Sequence, residues 1–350
     1  MEAFVKCGVR PSLVPLLTNY FQNRKIRVKW HGQVTETRNQ NGGGPQGSIL
    51  GNLEYSSQTN FNTEYLTTDE KYKFVDDLSI IEIINLLTIG LSSYNMKAHV
   101  ASDIQSDSTF IPPENLKSQT YLKKLSVWTD QQKMKLNEEK TKQMIFNFTN
   151  NFQFSTRNQL NNTNVEVIEK TKLLGTVITN DLKWEENTSL LVRKANTRMQ
   201  LLRKCSTFTK DIEELKNIYI LFIRSILEQS CVLWHSSLTV DDSNNLERVQ
   251  KSSLKIILQE EYEDYESSLH KVNIQSLYER RITLCENFAR NTAKHEKLHK
   301  LFPKNPNNPS ATTRNPEPYQ VNMAFTERYK TSSIPYMQRL LNQIEKKQTI

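Results

Sequence analysis

Residues 71–81 read KYKFVDDLSII, an aromatic and apolar run that ends in two adjacent carboxylates, Asp76 and Asp77, before a second apolar run leaves. The alternation of Tyr72 and Phe74, then of Leu78 and Ile80, predicts two short strands forming a hairpin with the acids at its tip. Close carboxylates are hard oxygen donors suited to Mg²⁺, and two-metal phosphoryl transfer uses such groups to hold ions against the attacking and leaving oxygens. An Asp-Asp pair is also an ordinary turn, because both side chains satisfy nearby backbone groups, and taken alone the motif favours that plainer reading.

A second feature is glycine-rich. Residues 42–51 read GGGPQGSILG and hold Gly42, Gly43, Gly44, Gly47 and Gly51, five of the nine glycines in the chain. Glycine lets backbone approach a phosphate or a base closely, although a flexible loop accounts for the composition equally well. A P-loop does not fit, since Ser48 and Ile49 stand where Lys and Ser/Thr are required. A third motif, His295-Glu296-Lys297-Leu298-His299, spells H-E-x-x-H. On a helix that spacing sets two imidazoles on one face as zinc ligands with the glutamate as base, the arrangement of a zinc metallopeptidase. It needs a third ligand, for which only Glu317, Glu327 and Glu345 lie downstream, so this stays a remote alternative.

The elements that must position these groups follow from where chain breakers fall. The 350 residues suffice for two or three domains, and a mean hydropathy of -0.62 marks a polar chain. No glycine follows Gly175 and no proline lies between Pro113 and Pro303, so 176–302 should be helical. Leu191, Ala195, Met199 and Leu202 repeat at helical spacing. A second helix starts at Asp211, with Glu214 as its capping-box partner, and carries Leu215, Ile218, Tyr219, Phe222 and Ile226. Two more are expected over 242–258 and 275–300, then a proline-rich linker and a loose tail with one short helix over 336–346. The first half mixes periods, with Ile26, Val28 and Trp30 alternating as a strand and Tyr121, Leu125, Trp128 and Leu136 spaced as a helix. The expected class is α+β.

Charge points to a polyanionic partner. The 46 Lys and Arg exceed the 38 Asp and Glu by eight, and residues 187–210 carry Arg193, Lys194, Arg198, Arg203, Lys204 and Lys210 with no acid. Such a helix suits a phosphate backbone, though basic helices often only solvate a surface. Cys7, Cys205, Cys231 and Cys285 form no CxxC pair, as expected for free thiols in a reducing, intracellular setting. The most apolar run, 78–91, is broken by Glu82 and Asn85 and is too short to span a bilayer.

Taken in order, the PQG-Ser-x-Leu-Gly segment, the aromatic-x-Asp-Asp hairpin, MKLNEEKTK at 134–142 and KLLGTVITNDLKW at 172–184 resemble the reverse transcriptases of non-LTR retrotransposons. LFIRSILEQSCVLWHSSL at 221–238, LERVQKSSLKIIL at 246–258 and LYERRITL at 277–284 resemble the helical region that follows the palm in these RNA-directed DNA polymerases, so the likeness runs from about residue 8 to 293. It implies a partial palm over 1–185 and a thumb-like helical region over 186–302, with a linker over 303–318 and a tail over 319–350.

The resemblance also implies roles. Asp76 and Asp77 would bind Mg²⁺; Lys140 would lie near the nucleotide phosphates. Pro45, Gln46 and Gly47 would line the template and nucleotide pocket, and Leu174 and Gly175 would form the primer grip. Arg193, Lys194, Arg198, Arg203 and Lys204 would follow the backbone of an RNA template and DNA primer, or of an RNA–DNA duplex. Two departures stand out. The family completes its metal site with an upstream aspartate, and no Asp precedes Asp69 here. The finger strands are also missing, the chain beginning where the palm is half built. The expected product is a fragment that has lost polymerase activity; the alternative is a non-catalytic RNA- or DNA-binding remnant.

Overall fold

A computed structural model of the protein describes residues 4–5, 8–40, 48, 50–51, 71–74, 77–84, 109–110, 116–148, 154–305 and 317–348. The chain is mixed α and β, and divides into two compact units, 1–168 and 169–350.

The first unit opens with helix α1 (Val14–Phe21), entered through Pro11–Leu13 and Pro15, whose fixed φ suits a first turn. A hairpin follows in which β1 (Lys25–Ile26) pairs with β4 (Arg38–Asn39) and β2 (Lys29–Trp30) with β3 (Gln33–Val34). Trp30 faces Gln33 while Ile26 faces Arg38, so the second arm holds one extra residue, a bulge near Glu36. Its apolar side chains stand in solvent, Trp30 at 74% exposure.

Strands β5 (Lys71–Phe74) and β6 (Asp77–Ile80) form the expected antiparallel hairpin. Just beyond β6, Glu82 reaches the start of α2 (Lys117–Gln131). Its two carboxylate oxygens accept the amides of Lys117 and Ser118, each at 2.9 Å, and so serve as the N-cap that Leu116 has no side-chain oxygen to supply. Tyr121, Leu125 and Trp128 are buried on α2, while Leu136 lies beyond its end. Buried Gln119 bonds both the amide and the carbonyl of Gln159, substituting for a strand neighbour. Gln159 opens the two-residue strand Gln159–Leu160, which pairs with Thr163–Asn164. Among the described residues no sheet exceeds two strands.

The second unit begins with a hairpin, β7 (Lys170–Leu173) and β8 (Thr176–Thr179), that the sequence grouped with the first domain. Helix α3 (Glu185–Cys205) then buries Leu191, Ala195, Met199 and Leu202, the four residues whose spacing predicts that face. The helix after Asp211 departs from expectation. Asp211 does cap it, accepting the amides of Glu213 and Glu214. A π-helical turn, Ile220–Arg224, then separates α4 (Ile212–Tyr219) from the short α5 (Ser225–Leu227). The wider turn shifts the inward face, so Leu215, Tyr219, Ile223 and Leu227 are buried while Phe222, expected in the core, is 45% exposed.

The rest of this core comes from the short helical turn Cys231–Trp234, which buries Cys231 and Trp234, and from α6 (Val240–Leu258), α7 (Tyr265–Val272) and the start of α8 (Leu277–Lys294). Thr239 caps α6, which begins two residues before the expected start, and Ser276 caps α8. Helix α8 ends at Lys294 rather than near Lys300. The tail differs more. Helix α9 (Ser333–Gln348) is longer than expected and is packed rather than loose: Met337 and Leu341 join Phe302, Tyr319 and Ala289, while Leu340 and Ile344 meet Cys285. The segment around Tyr319 is tied in by the Lys304–Tyr319 bridge and by Asn342, whose side chain bonds both the amide and the carbonyl of Tyr319. No helix among the described residues is long and apolar enough to cross a membrane.

Candidate functional site

The carboxylate hairpin is built by register. Phe74 pairs with Asp77, so Asp77 is the first residue of the returning strand and its side chain is exposed. Asp76 lies outside the described residues. Lys140, in the same unit, sits in an exposed turn that Asn137 organises by accepting the Lys140 amide at 3.0 Å. Pro45, Gln46 and Gly47 also lie outside the described residues. Directly after them, the Ser48 hydroxyl accepts the amide of Gly51 at 2.9 Å, the contact of an N-cap. Among the described residues no group of three or more His, Cys, Asp or Glu side chains could hold a metal ion. The described donors therefore do not by themselves make up a two-metal site.

The H-E-x-x-H motif does not take the helical form that zinc ligation needs. Helix α8 stops at Lys294, and the backbone of His295 is extended. The His295 ring nitrogen Nδ1 accepts the amides of Lys297 and Leu298, so this imidazole closes a turn. The spacing predicts one face of a helix only if the helix continues, and here it ends.

In the second unit the hairpin that carries the expected primer-grip residues packs its second strand against the basic helix. Leu174 and Gly175 form the two-residue turn between β7 and β8, with φ of +47° and +90°. Positive φ at both central residues is the requirement of a type I′ hairpin turn, which Gly meets freely and Leu at a cost of about 1–2 kcal/mol. Despite that cost Leu174 is 53% exposed. The hairpin is fastened to the start of α3, where buried Asn187 accepts the amide of Val177 at 3.1 Å.

Sequence reasoning missed what lies under the turn. A β carbon on Gly175 would stand 2.3 Å from Nε2 of Gln229. Gln229 belongs to a fixed corner after α5. Its carbonyl accepts the indole N–H of buried Trp234 at 3.0 Å, Glu228 pairs with Arg224 and Arg280, and Ser230 is left-handed. No local motif marks Gln229; only the fold brings it to Gly175.

The cations of α3 do not form one stripe. At about 100° per residue, Ser189, Asn196, Thr197, Gln200, Arg203 and Lys204 fall within about 80° of Arg193 around the helix axis. Lys194 and Arg198 lie about 100° and 140° away around the axis, Lys194 half-buried and Arg198 exposed. The outward face thus combines Arg193, Arg203 and Lys204 with neutral hydrogen-bonding side chains. Arg193, Asn196 and Gln200 line a groove of about 720 Å³ shared with Asn245 of α6. None of the five cations forms an ion pair with another described residue. An uncompensated cationic face beside amide and hydroxyl groups is suited to phosphates and sugars.

Two thiols, Cys231 and Cys285, are inert by placement. Burial pushes Cys231 up to about 11 and Cys285 up to about 12, and both are free, as is Cys205. No family model matches the chain, and no curated protein or solved structure is similar to it.

Proposed function

We propose that this chain is a reverse transcriptase-like protein of the non-LTR retrotransposon type that retains nucleic-acid binding and lacks polymerase activity. The observation that carries the reading is the outward face of α3, where Arg193, Arg203 and Lys204 are free of ion pairs among the described residues. Such a face binds a duplex by displacing the counterions of its phosphates. The ordered motifs at 45–51, 71–81, 134–142 and 172–184 support the same reading. On it, the hairpin with Asp77 derives from a palm, and α3 to α8 from a thumb.

The proposed loss of activity rests on carboxylate chemistry. Two-metal transfer needs carboxylates that fix both ions, and within residues 1–350, where no Asp precedes Asp69, the resemblance supplies Asp76 and Asp77 alone. Positioning and charge stabilisation then fail together. Extension of a primed RNA template in Mg²⁺ tests this. The expected result is no extension above an Asp76→Asn control, and activity above that control would overturn it.

A further inference from the structure

The resemblance gives no role to the hairpin of the first unit, yet that hairpin is strongly charged. Residues 24–38 hold Arg24, Lys25, Arg27, Lys29 and Arg38 against a single acid, Glu36. None of these cations forms an ion pair with another described residue. Along β1 and β2, Lys25, Arg27 and Lys29 alternate with Ile26, Val28 and Trp30, which places cations on one face and apolar groups on the other. All six are exposed. Register adds Arg38 beside Ile26 and Gln33 beside Trp30 on the apolar face.

This ribbon is held from root to tip. The Gln40 amide donates to the Arg24 carbonyl at 2.8 Å and the Thr35 amide to the Val28 carbonyl at 2.9 Å, while Thr35 Oγ1 accepts the Val28 amide at 2.9 Å. The Arg24 guanidinium lies over the Tyr20 ring of α1, 5.5 Å from its centroid. His31 and Gly32 close the tip with φ of +45° and +82°. The His31 ring meets Trp30 edge-on at 5.0 Å, and Trp30 still stands 74% exposed, whereas Trp128 and Trp234 are buried and Trp184 is half-buried.

An indole held in water on a fixed support leaves unused the stabilisation that covering its ring would give. Cations two residues apart along a strand stand about 6.6–6.8 Å apart, which matches the phosphate repeat of an extended nucleic-acid strand. Stacking of bases on an aromatic ring, beside cations that follow the backbone, holds single strands without sequence preference. Arg38 and Gln33 on the face of Trp30 argue against a lipid surface, which needs that face apolar throughout. The outer edge of β1 and β2 has no partner strand among the described residues. A nucleic-acid strand along that edge turns its bases to one face of the ribbon and its phosphates to the other. We propose that this hairpin binds single-stranded nucleic acid, with Trp30 stacking on a base and Lys25, Arg27 and Lys29 contacting phosphates. The site stands on the first unit alone and goes beyond the duplex reading of α3.

The test uses the tryptophan fluorescence of the full chain, titrated with a short oligoadenylate as RNA and as DNA, and with an abasic strand of equal phosphate number. Both oligoadenylates should quench the emission. The abasic strand should bind about five- to a hundredfold more weakly and without quenching, the span of one stacked base. Trp30→Ala should abolish the quenching and weaken binding, read by anisotropy of a labelled strand, over the same range; Trp30→Phe should keep most of the affinity. Lys25→Ala/Arg27→Ala/Lys29→Ala should flatten the salt slope by about two, roughly 0.7 for each phosphate of a single strand. These side chains are exposed, so each variant should keep the parent's Tm. An abasic strand bound as tightly as oligoadenylate, Trp30→Ala with the parent's affinity, or equal quenching by polyglutamate or by anionic phospholipid vesicles would overturn the proposal. Arg193→Ala/Arg203→Ala/Lys204→Ala should leave the quenching intact, which separates the two sites. Quenching by oligoadenylate in a parent chain without salt-dependent duplex binding refutes the reading of α3 and leaves this site standing; duplex binding without quenching refutes this site alone.

Discussion

Gly175 passes so close to Gln229 that a single added carbon would stand 2.3 Å from the amide nitrogen of Gln229. The contact joins a turn at the start of the second unit to a corner more than fifty residues later, and both belong to the same compact unit. Gly175 is held chiefly by its φ of +90°, since the Gln229 amide it would meet is the movable end of a flexible side chain.

Gly175→Ala should destabilise the second unit by about 1–2 kcal/mol from backbone strain alone, plus whatever displacement of Gln229 adds. Thermal unfolding followed by circular dichroism checks this. A Tm equal to that of the parent would show that the turn gives way freely.

The Glu82 carboxylate bonds the first two amides of α2 from 35 residues away. Removing it leaves helix N–H groups unpaired and takes a negative charge from the positive end of the helix dipole. Glu82→Ala should cost about 1 kcal/mol and speed amide exchange at Lys117 and Ser118, with Glu82→Gln milder. Unaltered exchange at these amides in Glu82→Ala would contradict the cap.

A pH dependence follows from the buried pair His235 and Arg281. Nε of Arg281 donates to Nδ1 of His235 at 3.2 Å, so the imidazole accepts there and carries its proton on Nε2. The ring packs against Tyr278 and Tyr336. Burial, and then the Arg281 charge, lower the imidazole from 6.5 to about 4. The folded value lies below the unfolded one, so in acid the unfolded chain takes up a proton that the folded chain resists. The stability contributed by the neutral ring is complete above about 6.5 and is lost as pH falls towards 4. Urea unfolding at pH 7 and pH 4.5 should show a larger loss in the parent than in His235→Gln; equal losses would contradict the assignment.

Much of the helical unit was legible in the sequence, for reasons local to it. Leu191, Ala195, Met199 and Leu202 sit on one face of a stretch without breakers, and Asp211 announces its helix by the acid three residues on. The π-helical turn was not legible, because nothing local distinguishes Ile220–Arg224 from an α-helix; the turn exists in the packed core that buries Ile223 and Leu227. The period alone therefore assigned Phe222 to the wrong side. Glu82 and Gln229 were illegible for a related reason, since each acts on a group far along the chain. The tail looked loose because prolines precede it, yet Met337, Leu340, Leu341 and Ile344 find their partners on residues from Cys285 to Tyr319. Of the candidate site, the turn at Leu174 and Gly175 and the basic helix were legible as motifs. Which cations share a face was fixed by the burial of Ala195 and Leu202, and this separates Arg193, Arg203 and Lys204 from Lys194 and Arg198.

That separation supplies the most direct test of the account. Binding of the full chain to an RNA–DNA duplex, measured by fluorescence anisotropy across a salt series, should weaken steeply as salt rises. The triple variant Arg193→Ala/Arg203→Ala/Lys204→Ala should reduce the slope of log K against log salt by about two to three, close to one for each phosphate left without its cation, whereas Lys194→Ala/Arg198→Ala should change it less. A parent chain with no salt-dependent binding, or a triple variant with the parent's slope, would contradict the claim that the outward face of α3 holds nucleic acid.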